Sequence, residues 1–224
     1  MLDKFLDALY PLKAKYERAL LERRWNRLRA MGMQIGQGVN LPASTWVDHS
    51  HCFLISIGDW CGFGEQCLLL AHDGQMDEFL DAGLIGKIVI RESCHFGSRT
   101  VILPDVEIGP RTIVGANSVI SNSLPPETVC AGAPARVICS LDDYLVRHQR
   151  QITTVKQFPW TEYNATVLTP HKTCELQAAV VNGPAYITGG FSQELRRRGG
   201  TFRTPHGETA MPAGVEWWKR RSRS

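Results

Sequence analysis

The sequence predicts an all-β solenoid, a parallel β-helix with an N-terminal helix and a mixed C-terminal extension. Three observations carry this. Ile90, Phe96, Ile102, Ile108, Val114 and Ile120 stand six residues apart, and the same beat runs through Ile57, Phe63 and Leu69. Neither the helix, at about 3.6 residues, nor the pleated strand, at about 2, repeats at this interval. Glycine repeatedly takes the next place, at Gly58, Gly64, Gly97, Gly109 and Gly115, and a small or medium residue takes the fifth, at Cys61, Cys67, Cys94, Thr100, Val106, Thr112 and Ser118. A hexad of this kind makes one short strand and one corner, and three hexads close a turn. The apolar residue then points to the axis and is buried only when turns stack. Glycine beside it relieves crowding at the corner.

The elements follow in order. Residues 1–32 read as helix, with Leu2, Phe5, Leu6 and Leu9 on one stripe, an interruption near Pro11, and Tyr16, Leu20, Leu21, Trp25 and Leu28 continuing. This helix is expected to pack on the coil or on a neighbouring subunit; the cluster Arg23, Arg24, Arg27 and Arg29 offers the alternative of a membrane-surface helix. Residues 33–140 form the solenoid, beginning irregularly at Ile35, Leu41 and Val47 and slipping between Phe53 and Ile57. The interval from Leu69 to Ile90 is not a multiple of six, so an excursion near 71–87 must leave the coil. Residues 141–224 start with a short closing helix around Leu141, Leu145 and Val146 and go on into an aromatic, basic extension.

Charge and composition narrow the partners. The formal net charge is +3, and no apolar run approaches the roughly 20 residues that cross a bilayer. Asp3, Lys4, Asp7 and Lys13 interrupt the N-terminus, unlike a signal peptide, so a cytoplasmic protein with no stable membrane insertion is expected. The seven cysteines include no CxxC pair and several occupy interior hexad positions, which points to reduced packing residues rather than a metal site. No nucleic-acid-binding module is present.

Three ordered stretches, Leu69-Leu70-Ala71-His72-Asp73-Gly74, then Phe96-Gly97-Ser98 to Ile102-Leu103-Pro104, then Gly115-Ala116-Asn117-Ser118 leading to Gly132-Ala133-Pro134-Ala135-Arg136, resemble the sugar-acetyltransferase branch of the hexapeptide-repeat acyltransferases. The resemblance implies a left-handed parallel β-helix, acetyl-CoA as donor, a homotrimer with each site between coils of two subunits, and a sugar or nucleotide-sugar acceptor serving bacterial surface polysaccharide. It places the catalytic base at His72, at the end of a coil just before the excursion. Imidazole suits that role because it titrates near neutrality and can return the proton to the departing thiolate. By the same resemblance Ser98, Ala116, Ser121 and Asn122 contact the cofactor, although the basic residue the family prefers near Asn122 is absent, and Arg136 meets the nucleotide phosphates.

Other residues rest on weaker patterns. Asp73 binds substrate or ends the strand as a turn acid, since neighbours in an extended chain face opposite ways. His95 stands where relatives often carry tryptophan, and either contacts acceptor or pantetheine or faces outward without chemistry. His49 and His51, at alternate positions, share one face if extended and form a candidate acceptor-binding pair. An acceptor group that orients His72 is expected but unidentified. Trp160, Tyr163, Tyr186, Trp217 and Trp218, with Arg196, Arg197, Arg198, Arg203, Lys219, Arg220, Arg221 and Arg223, either grip a nucleotide-linked sugar or form a capping arm. They tilt the reading toward N-acetylation of an amino sugar, with O-acetylation as the alternative. Two other classes stand beside it: a non-catalytic assembly subunit, and a zinc lyase needing three histidines, for which His72 and His95 lack a third. No metal is expected.

Overall fold

The computed structural model describes residues 2–165 and 167–190. The chain divides after Leu145 into two units.

In the first unit the coil has three flat parallel faces, and each turn contributes one strand to each. Face 1 stacks Gln34–Ile35, Ile55–Ile57, Ile88–Ile90 and Val106–Ile108. Face 2 stacks Gly62–Phe63, His95–Phe96, Ile113–Val114 and Thr128–Gly132, and ends on the antiparallel strand Ala135–Ser140. Face 3 stacks Trp46–Val47, Leu68–Leu69, Val101–Ile102 and Val119–Ile120. Registers are uniform, with Ile57 opposite Ile90, Phe63 opposite Phe96 and Leu69 opposite Ile102. Every residue of the six-residue beat is buried, and Leu69, Ile102, Ile108 and Ile120 have no exposed area. Phe63 stacks on Phe96 with ring centroids 4.7 Å apart.

The fifth hexad position is a second interior column. Thr100, Thr112 and Ser118 are wholly buried, and each hydroxyl donates to a corner carbonyl: Gly97 O at 2.8 Å, Pro125 O at 2.9 Å and Gly115 O at 2.7 Å. The thiols of Cys61 and Cys94 do the same toward Arg91 O and Gly109 O, both at 3.0 Å. These five polar atoms are thus satisfied, which offsets the cost of burying them; Thr45 Oγ1, at the same position of the first coil, is buried without a hydrogen-bond partner among the described residues.

Close stacking explains the glycine that follows the apolar residue. A Cβ on Gly64 would lie 2.4 Å from the nitrogen of Ser98, and one on Gly97 would lie 2.3 Å from the nitrogen of Ala116. The left-handed backbone needed to turn each corner falls elsewhere, three residues after the apolar position, at Trp60, Gln66, Ser93, Arg99, Arg111 and Asn117.

Two insertions break the coil, both at the corner leading from face 3 to face 1. The first contains the 3-10 turn Cys52–Leu54 and accounts for the slip in the early rhythm. The second pairs His72–Asp73 with Leu84–Ile85 around a short helix, Asp77–Leu80, and closes where Gly86 N donates to Ala71 O at 3.0 Å.

The N-terminal helix runs Leu2–Ala30 with no break at Pro11, against the interruption expected there. A single proline removes one backbone donor and can be carried by a long helix whose other bonds persist. Among the described side chains of its apolar stripe, Leu28 is buried and Trp25 rests against the core, whereas Tyr16 and Leu20 are exposed. Arg24 fastens this end to the first coil by donating to Ala43 O at 2.7 Å and Thr45 O at 2.5 Å, so one member of the basic cluster has a structural partner. Among the described residues no helix is long and apolar enough to cross a membrane.

The closing helix, Leu141–Thr154, is longer than expected and spans the boundary between the units. In the second unit Gln157–Pro159 pairs in parallel with Tyr186–Thr188, and Phe158 is buried against Tyr163. Tyr163 donates to Glu175 at 2.6 Å, while Tyr186 donates to Gln151 at 2.8 Å and meets His148 Nδ1 at 2.8 Å. Trp217, Trp218 and the basic residues from Arg196 to Arg223 lie outside the described residues.

Candidate active site

The two insertions bring together three residues from successive coils. Asp48 follows the interior Val47 and precedes the first insertion; His51 lies within it; His72 opens the second. Because Val47 pairs with Leu69, the corner of one coil sits against the corner of the next. Asp48 is only 1% exposed, and its Oδ2 lies 2.5 Å from His72 Nδ1. Its Oδ1 accepts from Ser50 N at 3.1 Å, Ser50 Oγ at 2.7 Å and His51 N at 3.3 Å.

Burial pushes the Asp48 carboxyl toward its neutral form, but hydrogen bonds from His72 and Ser50 and the nearby His72 charge outweigh it and hold the group below its ordinary value. An ionised carboxylate only accepts, so His72 Nδ1 carries the proton it donates. The lone pair of the neutral ring is therefore on Nε2. The His72 side chain is 41% exposed. Asp48 is thus the hydrogen-bond acceptor on His72 Nδ1, and no local pattern in the sequence revealed it.

His51 packs beside His72 with ring centroids 4.7 Å apart, and its Nδ1 lies 3.4 Å from Asp48 Oδ2. That nitrogen is buried and has no hydrogen-bond partner among the described residues. His49 does not accompany it. The chain bends at 49–51 instead of extending, so His49 is exposed and the expected pairing of His49 with His51 on one face fails. One ligand atom each from Asp48, His51 and His72 lie within 4.8 Å of one another, the only group of this kind among the described residues. It differs from a three-histidine zinc set, and His51, not His95, is the second imidazole beside His72.

His95 lies on face 2, outward, between Gly62 and Ile113. A Cβ on Gly62 would come 2.7 Å from its Nδ1, so the imidazole lies across that glycine, on a different face from His72. Asp73 is a turn acid, its Oδ1 accepting from Gln75 N at 2.9 Å.

The remaining residues divide between the two edges of face 3. Ser98 and Ala116 occupy successive coils at the corner entering it, in a column continued by Gly132; Arg136 pairs with Ala131 where that column ends. Arg136 is exposed, its Nη1 donating to Ala135 O at 2.9 Å. Ser121 and Asn122 follow Ile120 at the opposite corner, the one that carries His72 lower down, and Asn122 Nδ2 donates to Ser121 Oγ at 3.1 Å. Between the edges the outward residues of face 3, Trp46, Leu68, Val101 and Val119, form one in-register apolar column.

Residues 87–122 match the family described as bacterial transferase hexapeptide (six repeats). Galactoside O-acetyltransferase of Escherichia coli K12 is 41% identical over 74 residues, 33% of this chain and 33% of that protein. A protein of the same strain that carries the name colanic acid biosynthesis acetyltransferase WcaF is 29% identical over 139 residues, 51% of this chain and 74% of its own length. The solved hexapeptide-repeat-containing acetyltransferase VCA0836 of Vibrio cholerae, complexed with acetyl coenzyme A, superposes with a TM-score of 0.43 at 20% identity, covering 60% of this chain and 88% of that one. The chain thus carries the hexapeptide repeat over residues 87–122 and is similar to proteins named as acetyltransferases.

Proposed function

We propose that the protein transfers the acetyl group of acetyl-CoA to a hydroxyl of a sugar, with His72 as general base and Asp48 as the residue that positions it. The contact between His72 Nδ1 and Asp48 Oδ2 carries this reading. It fixes the ring so that Nε2 takes the acceptor O–H proton as the oxygen attacks the thioester carbonyl. The tetrahedral oxyanion then collapses, the C–S bond breaks, and the imidazolium returns its proton to the CoA thiolate. Asp48 stabilises the imidazolium in between. A hydroxyl is preferred to the amine of a nucleotide-linked amino sugar because the relative of 41% identity is named galactoside O-acetyltransferase. The names of the two E. coli relatives point to saccharide acceptors.

In the same reading the coil is left-handed and the working unit is a cytoplasmic homotrimer. A face of six residues is roughly 16–20 Å wide. A pantetheine arm lying along the Ser98 and Ala116 edge of one chain is then best completed by the His72 edge, with Ser121 and Asn122, of a neighbour. The apolar column of face 3 is the surface such packing would bury, and the exposure of Arg136 at the column's end supports a role for it in engaging phosphate. Incubation with acetyl-CoA and a panel of galactosides, other sugars and nucleotide-linked amino sugars, reading free thiol, tests the proposal. Turnover with a hydroxyl acceptor that His72→Ala abolishes is expected; turnover unchanged in that variant sinks it.

A further inference from the structure

We propose that Asp48, His51 and His72 also form a binding site for a divalent transition-metal ion of the zinc type, whose occupancy silences acyl transfer. The ligand set is two imidazoles and one carboxylate, which suits Zn2+ far better than the oxygen-seeking Mg2+ or Ca2+. One edge is already spaced for it. Ligand atoms bound at about 2.0–2.1 Å in a tetrahedron lie roughly 3.3–3.4 Å apart, and His51 Nδ1 stands 3.4 Å from Asp48 Oδ2. His51 Nδ1 is moreover a buried nitrogen with no hydrogen-bond partner among the described residues, a ligand atom without another task.

The second edge is occupied by a proton. At 2.5 Å, His72 Nδ1 and Asp48 Oδ2 are too close to share a metal, and the ring must withdraw by about an ångström, a small motion for a partly exposed side chain. Metal bound there takes the place of the hydrogen now shared between Nδ1 and Oδ2. The consequence for catalysis follows from the tautomer. With metal on Nδ1 the neutral ring carries its proton on Nε2, and the lone pair that the reaction needs is gone. This last step rests on the general-base reading given above; the binding site itself does not.

The test uses the full chain, freed of metal with EDTA and then dialysed, titrated with Zn2+ by calorimetry and with Co2+ by visible absorption, without acetyl-CoA. One equivalent per chain is expected, with proton release. His51→Ala and the shape-conserving His51→Gln should each weaken binding about tenfold or more, while His49→Ala, two residues away and exposed, should bind as wild type. No saturable binding, or equal loss in the His49 and His51 variants, overturns the site. Acyl transfer assayed separately in EDTA keeps the two ideas apart. Turnover surviving His72→Ala there sinks the general-base reading and leaves the metal titration to stand on its own result. Metal binding that leaves wild-type turnover intact overturns the silencing.

Discussion

Face 1 and face 3 are built on the same interior and differ only in what they show to the outside. Inward, both present buried aliphatics in register, Ile57, Ile90 and Ile108 on one and Leu69, Ile102 and Ile120 on the other. Outward, face 1 carries Gln34, Ser56, Val89 and Glu107, and Arg91 pairs with Glu107 at 2.6 Å. Face 3 carries Trp46, Leu68, Val101 and Val119, with Trp46 47% exposed. The hexad thus specifies the coil, while the alternate residue decides whether a face meets water or another surface. Most of the site residues gather on the edges of the apolar face.

The comparison can be broken first at the edge of face 3. His72→Ala should lower acetyl transfer by roughly 10³-fold, within the span of general acid–base catalysis, with an unchanged circular dichroism spectrum; Arg91→Ala, at the edge of face 1, should leave turnover near wild type. Next is Asp48→Asn, which keeps the shape but loses the acceptor that fixes the His72 tautomer. A fall of roughly 10²-fold in kcat with little change in KM is expected, and a change confined to KM would mean that Asp48 only shapes the acceptor pocket. A third test puts one substitution on both faces. Val101→Asp should shrink the assembly seen by light scattering and cut activity about tenfold or more by placing an unpaired charge in a buried contact, whereas Val89→Asp should change neither. Equal behaviour of the two would remove the distinction between the faces. Inside the coil the faces should not differ: Ile90→Ala and Ile102→Ala should each cost about 2–5 kcal/mol in denaturant melts.

How much of this was legible in the sequence depended on periodicity. The beat from Ile90 to Ile120 predicts the core because burial acts on every sixth side chain, and Ile35, Leu41 and Val47 mark the first coil despite the slip that follows. The excursion near 71–87 is legible as a broken multiple of six. Asp48 is not, because its partner lies on the next coil and the insertion after it destroys the count that would align them. The alternation of His49 and His51 misleads for a related reason: it presumes an extended chain where the backbone bends. The turn-acid alternative for Asp73 was legible from its place before a glycine, and Gln75 N donates to its Oδ1. Beyond Leu141 no period remains, and the small core around Phe158 rests on contacts between segments far apart in sequence.

The proposed working site joins the His72 edge of one chain to the Ser98 and Ala116 edge of another. Co-expression of His72→Ala with Ala116→Trp, each inactive alone, tests it most directly, with thiol release from acetyl-CoA and the preferred sugar measured on the purified mixed assembly. Random mixing in a closed ring should restore roughly a quarter of wild-type activity per site. A mixed assembly no more active than either variant by itself would contradict a site shared between chains.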